Sequence, residues 1–152
     1  VLDSNISLKW VLTEADSDKA RRLRSEFQNQ IHELLAPDVF PVEVAHGLAK
    51  AERRGVIPQG DADRLLTNVL SPPPQFHPYL PLLKRALDIA SPARIGVYDC
   101  LYVALAEREG CELLTADDRL VRTLQPTFAF ITSGGVTMIF SEEKPTQRRT
   151  RI

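Results

Sequence analysis

Short apolar runs of strand length alternate with longer stretches whose apolar residues recur every three or four positions, from Val1 to Ile131, and few architectures accept that order. Val1-Leu2, Glu33-Leu34-Leu35-Ala36-Pro37, Cys111-Glu112-Leu113-Leu114-Thr115 and Phe128-Ala129-Phe130-Ile131 read as strands. Gln75 to Tyr79 reads as a short edge strand, because Pro78 cannot donate to a ladder. Helical spacing begins at Leu8, Val11 and Leu12, after Asp3-Ser4-Asn5 leaves the first strand. Asp16-Ser17 offers a cap for a helix with Ala20, Leu23 and Phe27 on its inner face. Pro41 starts a helix with Val44, Ala45, Leu48 and Ala49 as its stripe, stopped after Arg54 by Gly55. Further helices run from Asp61 to Leu70, where Ser71-Pro72-Pro73-Pro74 breaks the chain, from Leu82 to Ala90, and from Gly96 to Glu109. Asp118 is the expected cap of a last short helix through Leu124. Strands that alternate with helices predict an α/β fold, a parallel sheet covered on both faces.

A chain of 152 residues, 43% hydrophobic, is long enough for one core and short for two. From Ser141 apolar residues thin out while Lys144, Arg148, Arg149 and Arg151 accumulate, so residues 1–140 read as the domain and 141–152 as a flexible basic tail. Nineteen basic against twenty acidic residues give a net charge of -1, so contact with a nucleic acid must come from local patches. Arg21, Arg22, Arg24, Arg53, Arg54 and the tail arginines are the candidates, although each also fits a solvated helix face. Cys100 and Cys111 form no Cys-x-x-Cys pair and have no histidine set for zinc. No apolar run reaches the ~20 residues of a membrane span, and no signal segment opens the chain, which together predict a reduced, cytoplasmic setting. Gly134-Gly135 precedes no G-K-[ST] pattern, so no phosphate loop is read.

Four acids carry the chemistry. In an open parallel sheet, ligands collect outside the carboxyl ends of the strands. Asp3 follows the first strand, Asp117 follows the Cys111–Thr115 strand, Glu43 sits in the first turn after the second strand, and Asp99 lies in the first turn of its own helix. Any one of them is adequately explained as a cap or dipole partner. Four acids spaced 40, 56 and 18 residues apart, yet brought by the element order to one end of one sheet, need more. Crowded carboxylates repel one another unless a cation joins them, and oxygen donors select Mg²⁺ or Mn²⁺. His32, His46 and His77 are scattered, and imidazole suits such ions poorly, so they stay outside the site. Cys100 reads as a small buried residue, and Trp10, Tyr98 and Tyr102 read as core at their helical spacings.

Val1-Leu2-Asp3-Ser4-Asn5-Ile6-Ser7-Leu8-Lys9-Trp10, Leu35-Ala36-Pro37 with Pro41-Val42-Glu43-Val44, Tyr98-Asp99-Cys100-Leu101-Tyr102-Val103-Ala104-Leu105-Ala106 and Leu114-Thr115-Ala116-Asp117 closely resemble PIN-domain proteins of the VapC toxin type, over residues 1–132. The resemblance implies a PIN-like three-layer α/β/α sandwich with a central parallel sheet of four to five strands. It implies an endoribonuclease using one or two Mg²⁺ or Mn²⁺ ions, RNA as substrate, a homodimer, and a VapB-like antitoxin that blocks the pocket. Asp3, Glu43, Asp99 and Asp117 match the family's acidic positions and would be its metal ligands and catalytic residues, with Ser4, Asn5 and Thr115 orienting them. Asn5 stands where a serine is frequent. Two other readings of the same fold are a catalytically degenerate PIN-like binding module and a PIN nuclease of RNA processing with no toxin role. A phosphotransfer receiver fails, because no lysine lies between Lys84 and Lys144. DNA-cleaving flap endonuclease relatives are longer and carry added helices.

Overall fold

A computed structural model describes residues 1–13 and 17–134 and, in backbone alone, 150–151. The described elements follow the order α1 (Ser4–Leu8), α2 (Ser17–Gln28), β1 (His32–Glu33), β2 (Leu35–Pro37), α3 (Phe40–Arg53), α4 (Ala62–Val69), β3 (Gln75–His77), a 3-10 turn (Leu80–Leu82), α5 (Leu83–Ala93), α6 (Val97–Glu109), β4 (Leu113–Thr115), α7 (Asp118–Leu124), β5 (Ile131–Ser133) and β6 (Thr150–Arg151). Asp16, expected as a cap, and the tail from Ser141 lie outside the described residues, except that Thr150 and Arg151 pair in parallel with His32 and Glu33.

The strands are short and all their pairings are parallel. Leu35, Ala36 and Pro37 lie opposite Gln75, Phe76 and His77, and Leu113, Leu114 and Thr115 lie opposite Ile131, Thr132 and Ser133. The first residues of the chain run between these two pairs. Leu2 N donates to Leu35 O at 2.9 Å on one side, while Leu114 N donates to Val1 O at 2.9 Å and Asp3 N to Leu114 O at 3.0 Å on the other. Val1 and Leu2 are fully buried there, as apolar residues on a parallel segment covered from both faces should be.

The helices bury most of the positions that their spacing predicts, with Phe27, Ala45 and Ala49 half-buried. α2 turns Ala20 and Leu23 inward, and α3 buries Phe40, Val44, Leu48 and Ala51. α6 is buried almost all round from Cys100 to Ala106, which marks it as the central helix, and it packs along α5. Gly110, in the left-handed region at φ 62, ends α6 and turns the chain into β4. α1 packs on α3 at Gly47, where a Cβ would stand 2.5 Å from Leu8 Cδ1. That close approach sets the spacing between Asp3, which caps α1, and Glu43 in α3.

Four expectations need correction. Phe128-Ala129-Phe130 is a turn, not strand: Phe128 N still donates to Leu124 O at 2.8 Å and Ile131 N to Phe128 O at 3.0 Å, so the chain is closing off α7. The two rings pack edge to face at 5.7 Å, which satisfies their apolar surface without a sheet. The cap of α7 is Asp117, not Asp118, because only Asp117 has extended backbone from which its carboxylate can reach back to the first amides. The first helix starts at Ser4, directly after Asp3, and Leu8 ends it rather than beginning it. Tyr98 is 63% exposed and not core, because the second residue of α6 faces away from the sheet.

Candidate active site

Asp3 lies at the point where the chain leaves the layer of strands. It is the N-cap of α1, 4% exposed, and four hydrogen bonds fix its carboxylate. Thr115 Oγ1 donates to Oδ2 at 2.7 Å, Asn5 Nδ2 donates to Oδ2 at 3.0 Å, and Asn5 N and Ser4 Oγ donate to Oδ1 at 3.3 and 3.4 Å. The Asp3 amide itself donates to Leu114 O. Thr115 is completely buried, and its single hydroxyl also accepts from Asn5 Nδ2 at 3.3 Å and from Asp117 N at 3.1 Å, so its bonding capacity is full. Asn5 Oδ1 accepts from Ala116 N at 2.9 Å. Ser4, Asn5 and Thr115 thus join the end of β4 to the start of α1 around one carboxylate.

Asp117 follows β4 and caps α7, its Oδ1 accepting from Arg119 N at 2.8 Å and from Leu120 N at 3.1 Å. Glu43 sits one turn into α3, half-buried, and its Oε2 accepts a short hydrogen bond from the hydroxyl of Tyr102, a fully buried residue. Asp99 stands in the first turn of α6 beside Gly96, where a Cβ would come 3.1 Å from its Oδ2. Tyr102 lies three residues after Asp99, so one face of α6 offers both to the site.

The charges of these acids act on one another. Burial, together with the charges of Asp99 and Asp117, pushes the Asp3 carboxyl up to about 6, against the bonds from Thr115 and Asn5. Burial lifts Glu43 to about 7, opposed by the Tyr102 hydroxyl and reinforced by Asp3 and Asp99. Asp99 is raised by burial and by Asp117, and the guanidinium of Arg119 works the other way. All four acids therefore share one electrostatic neighbourhood, with Arg119 the opposing charge that reaches Asp99.

The donor chemistry, oxygens alone, buried at Asp3, half-buried at Glu43, Asp99 and Asp117, and mutually repelling, fits a hard divalent cation. The side-chain positions are those of carboxylates bonded to protein: among the described residues, no three His, Cys, Asp or Glu side chains stand together at metal-ligand spacing. His46 is exposed, and His77 pairs with Arg108 Nη2 at 3.0 Å. Cys100 is buried, its thiol pushed up to about 11 by burial and then by Asp99, which leaves it inert. Of the proposed basic contacts, Arg21 pairs with Asp18, Arg22 with Glu26, and Arg24 lies over the Trp10 ring. From the sequence Tyr102 is expected as core and Gly96 as a helix start, and neither they nor Arg119 are expected at the site. The three-residue interval from Asp99 was the available signal for Tyr102.

The fold is a helix-rich α/β layer with carboxylates from separate elements near its strand ends, where ligands of open parallel sheets collect. The chain belongs to the PIN-domain family, whose profile matches residues 1–124. It is 34% identical over 122 residues to Ribonuclease VapC3 of Pyrobaculum aerophilum, an alignment covering 79% of this chain and 90% of that protein. It is 36% identical over 124 residues to Ribonuclease VapC12 of Mycobacterium tuberculosis, covering 81% and 90%. A third relative, VapC ribonuclease Mb0985 of Mycobacterium bovis, is 31% identical over 125 residues, covering 82% and 91%.

Proposed function

We propose that this protein is a Mg²⁺- or Mn²⁺-dependent endoribonuclease, the toxin component of a VapBC-type module, with Asp3, Glu43, Asp99 and Asp117 as the residues that hold one or two ions. The observation that carries the reading is the electrostatic coupling of these four acids, drawn from the starts of α1, α3, α6 and α7, in a chain whose relatives are named ribonucleases. The hydrogen bonds of Val1–Asp3 to both flanking strands support one central layer of five strands, in the order β3, β2, Val1–Asp3, β4, β5.

A divalent cation, when bound, supplies a polarised phosphate and a more acidic water. The protein's own part is positioning. Thr115, Asn5 and Ser4 keep the Asp3 carboxylate from rotating, and Tyr102 holds Glu43 by one oxygen. Asp117 is held by amides of α7, which leaves its second oxygen for a ligand. Burial of Asp3 limits water around the reacting group and strengthens every charge interaction within it. An acidic pocket of this kind also attracts a cationic side chain, the basis on which an arginine of a VapB-like antitoxin would close it. A homodimer, a cytoplasmic location and a domain that ends near residue 140 complete the reading; among the described residues no helix is long and apolar enough to cross a membrane.

One observation favours a second reading, a PIN fold kept as a binding module: the absence of three acids at ligand spacing among the described residues. Cleavage assays separate the two. Wild type, Asp3→Asn and Asp99→Asn are compared on RNA and on DNA with Mg²⁺, Mn²⁺ or EDTA. The nuclease reading expects metal-dependent cutting of RNA by wild type alone and is falsified if wild type cuts neither substrate or the variants cut equally well. Growth arrest on expression, relieved by the adjacent gene product, tests the toxin role; an active enzyme without toxicity points to RNA processing.

A further inference from the structure

We propose that Arg119 is a phosphate-binding residue of the same site, one that receives a backbone phosphate of the RNA next to the one cut; the proposal rests on the ribonuclease reading. Arg119 lies in the first turn of α7, two residues after Asp117, and is exposed. Its Nη2 donates to the backbone carbonyl of Arg94 at 2.7 Å. Arg94 ends α5 in the left-handed region, at φ 54, a conformation that non-glycine residues adopt rarely. Two residues later, Gly96 admits the Asp99 carboxylate against the backbone. The short connection between α5 and α6 therefore holds the guanidinium and meets the carboxylate at positions two residues apart.

The Arg119 guanidinium donates to a backbone carbonyl and forms no direct ion pair with Asp99 among the described residues. A residue present only to neutralise Asp99 would lower its energy most by a two-pronged pair with that carboxylate. The Arg94 carbonyl instead takes one N–H, and the structure gives the guanidinium no other partner among the described residues. A planar donor set of five N–H groups, anchored at one nitrogen and open at the rest, matches the oxygens of a phosphodiester. Bound RNA places phosphates on either side of the scissile one, and a fixed cation at the rim adds affinity there without competing for the metal.

The test uses the full chain with Arg119→Ala and Arg119→Lys. Cleavage of a single-stranded RNA oligonucleotide is followed across a salt series in Mn²⁺, and binding of the same RNA is measured in the Asp3→Asn background. The expected result is a rise of about tenfold in KM and Kd for Arg119→Ala, the size of one charge-assisted bond. Loss of one phosphate contact should also reduce the slope of log affinity against log salt by about 0.7. Arg119→Lys should recover most of the slope, since the charge returns, and less of the affinity. The Mn²⁺-induced rise in melting temperature should be undiminished in Arg119→Ala, because Asp99 has lost a competing positive charge. If wild type cuts RNA and Arg119→Ala matches it in KM, Kd and slope, Arg119 is only a counter-ion and the proposal is wrong. If wild type neither cuts nor binds RNA, the ribonuclease reading falls and takes this proposal with it.

Discussion

The hydroxyl of Thr115 donates to the Asp3 carboxylate at 2.7 Å across 112 residues of sequence, and the same oxygen receives the amide of Asp117. Thr115→Val keeps the shape and removes all of these bonds, so Asp3 loses a donor and two further donors lose their acceptor inside the protein. A loss of about 1–3 kcal/mol in unfolding free energy is expected, the usual cost of stranding buried polar groups. Thr115→Ser should restore most of it. Urea unfolding of the three proteins in EDTA measures both, and a Thr115→Val protein as stable as wild type would contradict the assignment.

Tyr102 offers a cleaner separation of positioning from folding. Tyr102→Phe deletes one oxygen from a buried ring, leaves the packing intact and frees Glu43 to rotate. The expected effect is an apparent Mn²⁺ affinity about tenfold weaker, from the loss of a charge-assisted hydrogen bond. Cleavage should recover as Mn²⁺ is raised. Titration followed by melting temperature reads the affinity without relying on turnover, and an unchanged titration would show that Glu43 needs no such partner.

Stability should run opposite to the usual carboxylate trend when metal is withheld. Asp3 and Glu43 stand at about 6 and about 7 in the folded protein, above their ordinary values of 3.8 and 4.5, so the folded state holds protons that the unfolded chain gives up. Stabilisation from these groups is complete below pH ~4 and disappears as pH rises through the folded values, by about 3 kcal/mol at most for Asp3. In EDTA, therefore, the denaturation midpoint should fall between pH 4 and 7.5. Excess Mn²⁺ should flatten or reverse the slope, because ion binding requires the ionised forms. A midpoint in EDTA that climbs over this range would refute the burial and repulsion described for the site.

Gly96→Ala probes the floor beneath Asp99. The backbone at Gly96, φ -62 and ψ 142, suits alanine, so folding should change by about 1 kcal/mol or less. The new methyl would press on Asp99 Oδ2 at 3.1 Å, however, and the carboxylate would have to shift by a few tenths of an ångström from its place beside the other acids. A drop of tenfold or more in kcat/KM with a nearly unchanged melting temperature is the expected pair of results.

Much of this could be read from residue order, for reasons that differ by position. Asp3, Glu43 and Asp117 could be expected near one end because each follows a strand of a parallel layer, whereas Asp99 follows a turn between two helices, α5 and α6. The extent of the last strand was not legible, because Phe128 and Phe130 have the β-propensity of a strand while their backbone finishes α7. Adjacent acids hid the cap: Asp117 and Asp118 are equivalent by composition, and only backbone direction distinguishes them. Tyr102 looked like core and is core, but its hydroxyl had to find a partner, and periodicity does not say which. Arg119 sits beside two acids, where a surface ion pair was the simplest account, and its tie to the Arg94 carbonyl depends on a backbone turn that no local pattern announces.

The parallel pairing of Val1–Asp3 with Leu114 has a temporal meaning as well as a spatial one. Synthesis runs from Asp3 toward Thr115, so the strand that fixes Asp3 emerges 112 residues after it. Until Thr115 and Asp117 have cleared the ribosome, the four acids cannot meet. The proposed site can therefore assemble only after nearly the whole of the described domain has been made.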